Sequence, residues 1–382
     1  MCRVSRVMQM RMEIGAAKAP AAVSLFAGCG GDTLGLAEAG FTVPSFVENW
    51  RPAVESHLAN FPDSELLGQS VAGDIRKVPD EAFSRLRGKV DLVFAGFPCQ
   101  GFSHAGKKDP NDPRNRLFWE FVRATAEIRP RWVVGENVSG LLHRVTDDGT
   151  TPVGDVIVDA FESIGYRMAK PFILDAADYT VPQRRRRVFF VGNRMGLPFR
   201  PPSPESKRSR AAIRPHVRFS LAHAIPLNEE TVAGGIRTWV EGDGEPSGAA
   251  HPYLIQKANS HLMSYAKRDS PFHVEVVDLD APAKTIHSGY EFQPRLFPAM
   301  RTSRGFFARA FTPAELSSIQ GFPASFYLAG KPKDQVVQIG NAVPPGLARA
   351  VALQIVRCDS ELASPQDRRS GQLGLEASAP TP

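Results

Sequence analysis

Three features of the sequence predict an α/β architecture built on a mainly parallel, doubly wound sheet. Short apolar runs alternate with stretches of helical periodicity, the first run enters a glycine-rich turn, and the runs end in glycine or polar residues. In such sheets ligands gather beyond the carboxyl ends of the strands, so the loops after the strands are where a site is expected. In chain order, AAVSLFAGCGGDTLGLAEAGF (residues 21–41) reads as strand, loop and helix, with Leu34, Leu36 and Ala37 at helical spacing. VPSFVENW, SVAGDI, KVDLVFAGFPC and RPRWVVGENVSG each read as a strand with a polar or glycine-rich end. Between the last two, LFWEFVRATAEI places Leu117, Phe118, Phe121, Val122 and Ile128 on one helical face. VFFVG (188–192) closes this part. In TPAELSSIQGF, Thr312 is the expected N-cap, Pro313 the first helical residue and Glu315 the capping-box partner. LARAVALQIV (347–356) is the expected last helix.

At 382 residues with 42% hydrophobic and 23% charged, the chain can fill more than one small core. At roughly 150 residues per domain its length corresponds to about 2.5 domains. Collagen-like and wholly disordered compositions are excluded. After residue 196 the texture becomes rich in proline and arginine, which suggests a second domain. Arg200, Lys207, Arg208, Arg210, Arg214 and Arg218 face a single acid, Glu205, so that stretch carries +5 and reads equally well as a solvated linker or a phosphate-contacting segment. The chain as a whole, with 46 basic and 40 acidic residues, carries only +6. Cys2, Cys29, Cys99 and Cys358 follow neither zinc nor disulfide spacing, so free thiols in a reducing compartment are expected. No secretory apolar segment or membrane-length run is present, and a cytoplasmic protein is expected.

The glycine loop lacks the Lys-Ser/Thr of a P-loop and only approaches the dinucleotide fingerprint. Glu48, at the end of the second run, is placed to accept from ribose hydroxyls. Asp74 can accept from an adenine amine, with Ile75 packed on the ring. Together these suggest a nucleoside-containing cofactor, against the alternative of a plain turn with surface acids. Cys99 is set apart from the other cysteines, because Gly96, Pro98, Gln100 and Gly101 place it in a strand-end loop rather than in a sheet. His104 lies five residues on, but no third orienting residue accompanies it. Glu136 ends the next run and can share a pocket with Cys99. Strand alternation puts Arg185 and Arg187 on one side of QRRRR and Arg184 and Arg186 on the other.

Taken together, SLFAGCGGDTLGLAEAGF, GFPCQGFS, DPRNRLFWEF, GENV, QRRRRVFFVG, FTPAELSSIQGFP and QIGNAVPP resemble, in order, the motifs of the DNA (cytosine-5)-methyltransferase family of bacterial restriction-modification systems. The resemblance runs from about residue 21 to 356. It implies a Rossmann-like class I S-adenosylmethionine-dependent methyltransferase fold. The catalytic domain would comprise residues 1–195, completed by 306–360, with an inserted target-recognition domain at 196–305 and a disordered tail at 361–382. It implies S-adenosyl-L-methionine as cofactor, S-adenosyl-L-homocysteine as product and no metal. Double-stranded DNA would be the substrate of a monomeric, nucleoid-associated enzyme paired with a cognate restriction endonuclease.

On this resemblance Phe26, Gly28, Gly30, Glu48, Asp74, Ile75, Pro98, Leu117 and Asn341 face the cofactor. Cys99 is the nucleophile, Glu136 holds N3 and the exocyclic amine of cytosine, and Arg187 with Arg185 supports O2 and the carboxylate. Gln183 and Gln338 take structural or DNA-proximal roles. Gln100, Ser103, Lys107 and Arg114, in a loop expected to close over a flipped base, contact DNA, as do Thr285, Tyr290 and Arg295 in the recognition domain. Two departures stand out. Ala314 replaces an arginine found before the glutamate in many relatives, which puts a salt link in doubt, and QRRRR is more basic than the usual run. The alternative implied activity is cytosine-5 methylation of RNA.

Overall fold

The computed structural model describes residues 19–98, 116–146, 149–205, 210–217, 224–227, 239–240, 275–290 and 296–363. The first part alternates strands and helices: β1 (Ala21–Leu25), α1 (Gly31–Glu38), β2 (Thr42–Val47), α2 (Arg51–Asn60), β3 (Glu65–Leu66), α3 (Asp80–Ser84), β4 (Leu92–Ala95), α4 (Arg116–Ile128), β5 (Trp132–Val138), α5 (Val153–Ser163), β6 (Arg167–Met168), β7 (Phe172–Asp175) and β8 (Arg186–Asn193). These strands form one sheet in the order β3-β2-β1-β4-β5-β8-β6, with β7 also paired to β8. The pairs from β3 to β5 are parallel, and β8 runs antiparallel to β5, β6 and β7.

The strands read as continuous apolar runs because both faces of the sheet are covered. Val23, Leu25, Val93, Val133 and Phe190 point into a core closed by Phe83, Phe118, Phe121, Ile157 and Phe161 from α3, α4 and α5. Their neighbours Ala22, Phe94, Trp132, Val134 and Phe189 point the other way, onto Leu36 of α1 and Leu347, Val351 and Ile355 of the last helix. Chain order reverses between β1 and β4, which places the crevice of a doubly wound sheet over their carboxyl ends.

SVAGDI is not a strand. Gly68, Ala72 and Gly73 all adopt positive φ, and the chain winds through two 3₁₀ turns over Gln69–Val71 and Ile75–Lys77 instead. Gly73 is required there, since a Cβ on it would fall on the carbonyl oxygen of Glu48. That close approach is what brings Asp74 and Ile75 beside the end of β2.

The second part carries β9 (Ile225–Leu227), β10 (Trp239–Val240), β11 (Glu275–Val276), β12 (Leu296–Phe297), β13 (Ala299–Thr302) and β14 (Gly305–Ala308), followed by α6 (Pro313–Gln320), α7 (Pro332–Asn341) and α8 (Pro345–Ala363). Packing divides the chain differently from sequence texture. Residues 197–205 still lie on the first sheet, where Leu197 and Phe199 join its core and the Tyr179 hydroxyl donates to the Pro202 carbonyl. Residue 305 opens β14, so a division at 305/306 cuts the β13–β14 hairpin. The core of the second part takes in Leu316 and Ile319 of α6 and Val336 and Ile339 of α7. Only α8 returns fully to the first sheet. It runs through Ala363, three residues into the stretch expected to be a disordered tail.

Thr312 caps α6 in the expected box, accepting from the Glu315 amide while the Glu315 carboxylate accepts from the Thr312 amide. Glu315 also makes a buried two-pronged pair with Arg309, at 2.7 and 2.9 Å. Ala314 makes no such pair, and the partner of Glu315 is Arg309, just past β14.

Candidate active site

The carboxyl ends of β1, β2, β4 and β5 open onto a cavity of about 540 Å³. Phe26, Gly28, Glu48, Asp74, Ile75, Pro98, Leu117, Glu136, Arg185, Arg187 and Asn341, drawn from eight separate stretches of the chain, all line it.

At one end, Glu48 is held by backbone alone. Its Oε2 accepts from the Gly28 amide at 2.9 Å, and its Oε1 accepts from the amides of Asn49 and Trp50. Burial raises its pKa above the ordinary carboxylate value while the three amides pull it back. Gly28, at φ 55, has open space where a side chain would stand, leaving bare backbone for a ligand to approach. Asp74 caps the second 3₁₀ turn and forms a two-pronged pair with Arg76, at 2.8 Å on each prong, which holds its pKa low.

Gly30 departs from expectation. It lies outside the cavity wall, and a Cβ there would run into the Phe61 ring at 2.5 Å. Its φ of 98 starts α1 against α2, so its role is in packing rather than cofactor contact. Behind the same loop, Asp32 is fully buried and accepts from the Ser24 hydroxyl; desolvation pushes its pKa up to about 7. Cys29 is buried and its thiol pKa is raised, first by desolvation and then by Asp32, as befits an inert cysteine. Cys358 is only half-buried.

At the other end stands Glu136, 7% exposed, with Arg187 Nε 3.0 Å from its Oε1. Desolvation raises the Glu136 pKa, opposed by Arg187 and then Arg185. Oε1 is paired to Arg187 without a well-aligned hydrogen bond, and the carboxyl stands in the cavity wall. Asn137, which sequence reading passed over, donates from Nδ2 to the Phe97 carbonyl at 2.9 Å, while its Oδ1 accepts from the Val138 amide. It thus ties the end of β5 to the backbone just before Pro98. Cys99 lies outside the described residues, as do Gln100, Ser103, Lys107, Arg114 and Arg295. Pro98, the residue before Cys99 in sequence, lines the cavity. Trp50, also missed, lines the cavity next to Glu48; the only signal for it was an aromatic residue following VEN.

The alternation expected for QRRRR holds in burial: Arg184 and Arg186 are exposed, Arg185 is buried and Arg187 lies between. Arg185, however, spends its guanidinium on the protein, donating to the carbonyls of Ile286, Gly340 and Ala342 at 2.8 to 3.1 Å. It braces the wall where the two parts of the chain meet. Gln183 and Gln338 are structural: Gln183 bonds Gln320 and the Ile286 amide, and Gln338 bonds Ser56 and the Ala329 carbonyl.

Two recognition-domain expectations change. Tyr290 is 4% exposed, its hydroxyl donating to the Leu296 carbonyl and accepting from the Phe311 amide, so it is spent inside the domain and cannot read a groove. The Thr285 hydroxyl donates to the Arg184 carbonyl at 2.9 Å. Of the basic stretch, Arg210 pairs with Asp178 and Arg214 with Asp280.

A family profile described as C-5 cytosine-specific DNA methylase matches residues 21–357, spanning every wall of this cavity. The chain belongs to that family. Among relatives of this methylase, the Type II methyltransferase M1.HphI of Haemophilus parahaemolyticus is 32% identical over 352 residues, covering 88% of this chain and 87% of the relative. M.XorII of Xanthomonas oryzae is 30% identical over 377 residues, covering 88% and 85%. The fold is shared with solved structures, including the Dnmt2 methyltransferase of S. pombe (TM-score 0.62, 17% identity, 90% of this chain and 100% of that one) and DNMT2 of Spodoptera frugiperda (TM-score 0.60, 17% identity, 89% and 99%). The methylase family implies S-adenosylmethionine, and the cavity fits it: bare backbone at Gly28 beside the Glu48 carboxylate suits an adenosyl group. No helix among the described residues is long and apolar enough to cross a membrane.

Proposed function

We propose that this methylase transfers a methyl group to C5 of a cytosine in a specific site of duplex DNA, through a covalent adduct of Cys99 with C6. The observation that carries the reading is Glu136: a buried carboxyl in the wall of the strand-end crevice, paired to Arg187 and with Arg185 near it.

S-adenosylmethionine, held by Phe26, Gly28, Glu48, Trp50, Asp74, Ile75, Pro98, Leu117 and Asn341, supplies an electrophilic methyl group. Everything else falls to the chain. C5 of cytosine is a poor nucleophile, and addition of the Cys99 thiolate to C6 makes it an enamine carbon. Charge builds at N3 as the thiolate adds. Glu136, whose raised pKa favours the protonated form, shares its proton there, and Arg187 donates toward O2. Asn137 fixes the Phe97 carbonyl, just before Pro98, to the end of β5. Loss of the C5 proton and expulsion of the thiolate restore the aromatic base and the free enzyme. None of these groups reaches C5 or C6 inside a paired duplex, so the target base is flipped out, at a cost of a few kcal/mol that DNA contacts offset.

Type II relatives support duplex DNA as substrate and a cognate restriction endonuclease as functional partner. The test is to treat a random duplex library with the enzyme and S-adenosylmethionine and map 5-methylcytosine, with a matched RNA pool alongside. One short sequence context in the DNA pool and no label in the RNA pool is the expected outcome. Label in RNA alone would replace this reading with the RNA one.

A further inference from the structure

A second cavity, of about 520 Å³, adjoins the first and shares Val138, Arg185, Arg187, Gly340 and Asn341 with it. All four arginines of the QRRRR run line it, against a single acid, Asp175. That acid is already engaged. Its Oδ1 accepts from the amides of Arg185 and Ala177, and its Oδ2 lies 4.0 Å from Arg210.

The four arginines divide by strand alternation. Arg185 and Arg187 turn inward to the carbonyl brace and to Glu136. Arg184 and Arg186 stand exposed, with their backbones fixed: the Arg184 amide donates to the Ala283 carbonyl, its carbonyl accepts from Thr285, and Arg186 is in register with Asp175 across β7 and β8. Both side chains line the second cavity from fixed backbone positions.

Resting on the duplex-DNA reading above, we infer that the second cavity is an anion seat for sugar-phosphate backbone next to the flipped nucleotide, with Arg184 and Arg186 as its two phosphate-neutralising groups. The Thr285 hydroxyl has given its one proton to the Arg184 carbonyl, so at this wall the guanidinium groups, rather than the threonine, supply the donors. Arginine suits the task because its planar fork donates to two phosphate oxygens at once. An arginine at both outer positions thus adds affinity without reading any base.

Each phosphate neutralised releases counterions, which makes the slope of log affinity against log salt steeper by about 0.9. The test is fluorescence anisotropy of a labelled duplex carrying the methylated site, titrated across a salt series with wild type, R184Q/R186Q and R184K/R186K. The glutamine pair should bind more weakly, with a slope shallower by about 1.8. The lysine pair should recover the slope, since it restores charge, but not all of the affinity, since it loses the fork. Calorimetry with S-adenosylhomocysteine should give the same affinity for all three proteins, showing that the first cavity is intact. A glutamine pair with unchanged slope and intact cofactor binding overturns the inference. Wild type that methylates no duplex site at all would instead overturn the functional reading on which it rests.

Discussion

Glu48 and Glu136 sit at the carboxyl ends of β2 and β5, three strand spacings or about 14 Å apart across one cavity, and both are carboxyls whose pKa burial raises. They differ in who satisfies them. Glu48 is met by three backbone amides contributed by its own strand end and the glycine loop. Glu136 is met by a side chain, with Arg187 Nε 3.0 Å from its Oε1. The comparison teaches that one end of the cavity is fixed by backbone amides and the other by an arginine side chain.

Substitutions can break or sharpen that contrast. The largest effect belongs to Cys99→Ala, which should lower tritiated methyl transfer by about a thousandfold or more while leaving S-adenosylhomocysteine binding intact. Next comes Asp32, beneath the glycine loop. Its folded pKa of about 7 lies above its unfolded value, so its stabilising contribution is complete below about pH 4 and is lost as pH rises through 7. Denaturant unfolding across pH should show wild type losing on the order of 4 kcal/mol over that window, a loss that Asp32→Asn does not share. Glu136→Gln should slow transfer by roughly a hundred- to a thousandfold, with cofactor affinity unchanged. Glu48→Gln should show the converse, weakening S-adenosylhomocysteine by about tenfold in calorimetry, because its NH2 group replaces one of the two oxygens that accept from backbone amides. Equal cofactor losses in the two variants would erase the distinction between the two ends. The smallest effect is Tyr290→Phe, expected to cost about 1 kcal/mol of stability and to leave the methylated sequence unchanged.

Much of this was legible in the chain because doubly covered parallel strands advertise themselves as apolar runs, and their ends locate the crevice. SVAGDI misled because it reads as a short apolar run, whereas its backbone is set by positive φ at Ala72 and Gly73, with Gly68 just before it. The boundary at 196 misled for a related reason: a change of texture marks the end of regular structure, not a change of packing partner, and Leu197 and Phe199 stay on the first sheet. Alternation told which side Arg185 takes but not that backbone carbonyls would consume it. A tyrosine's polar tip looks available in sequence, yet both hydrogen-bonding roles of Tyr290 are filled from within its own domain. Gly30 shows the limit of motif reading, since a glycine can be demanded by a neighbouring ring as well as by a ligand.

The central claim is that chemistry at the Glu136 end runs through a covalent bond from Cys99 to the base. Its most direct test is to incubate the enzyme and S-adenosylmethionine with duplex DNA carrying 5-fluorocytosine at the methylated position, whose fluorine blocks the final elimination. Wild type should form a protein–DNA adduct that survives denaturing electrophoresis, and Cys99→Ala should form none. Active wild-type enzyme that leaves no such adduct would contradict the account.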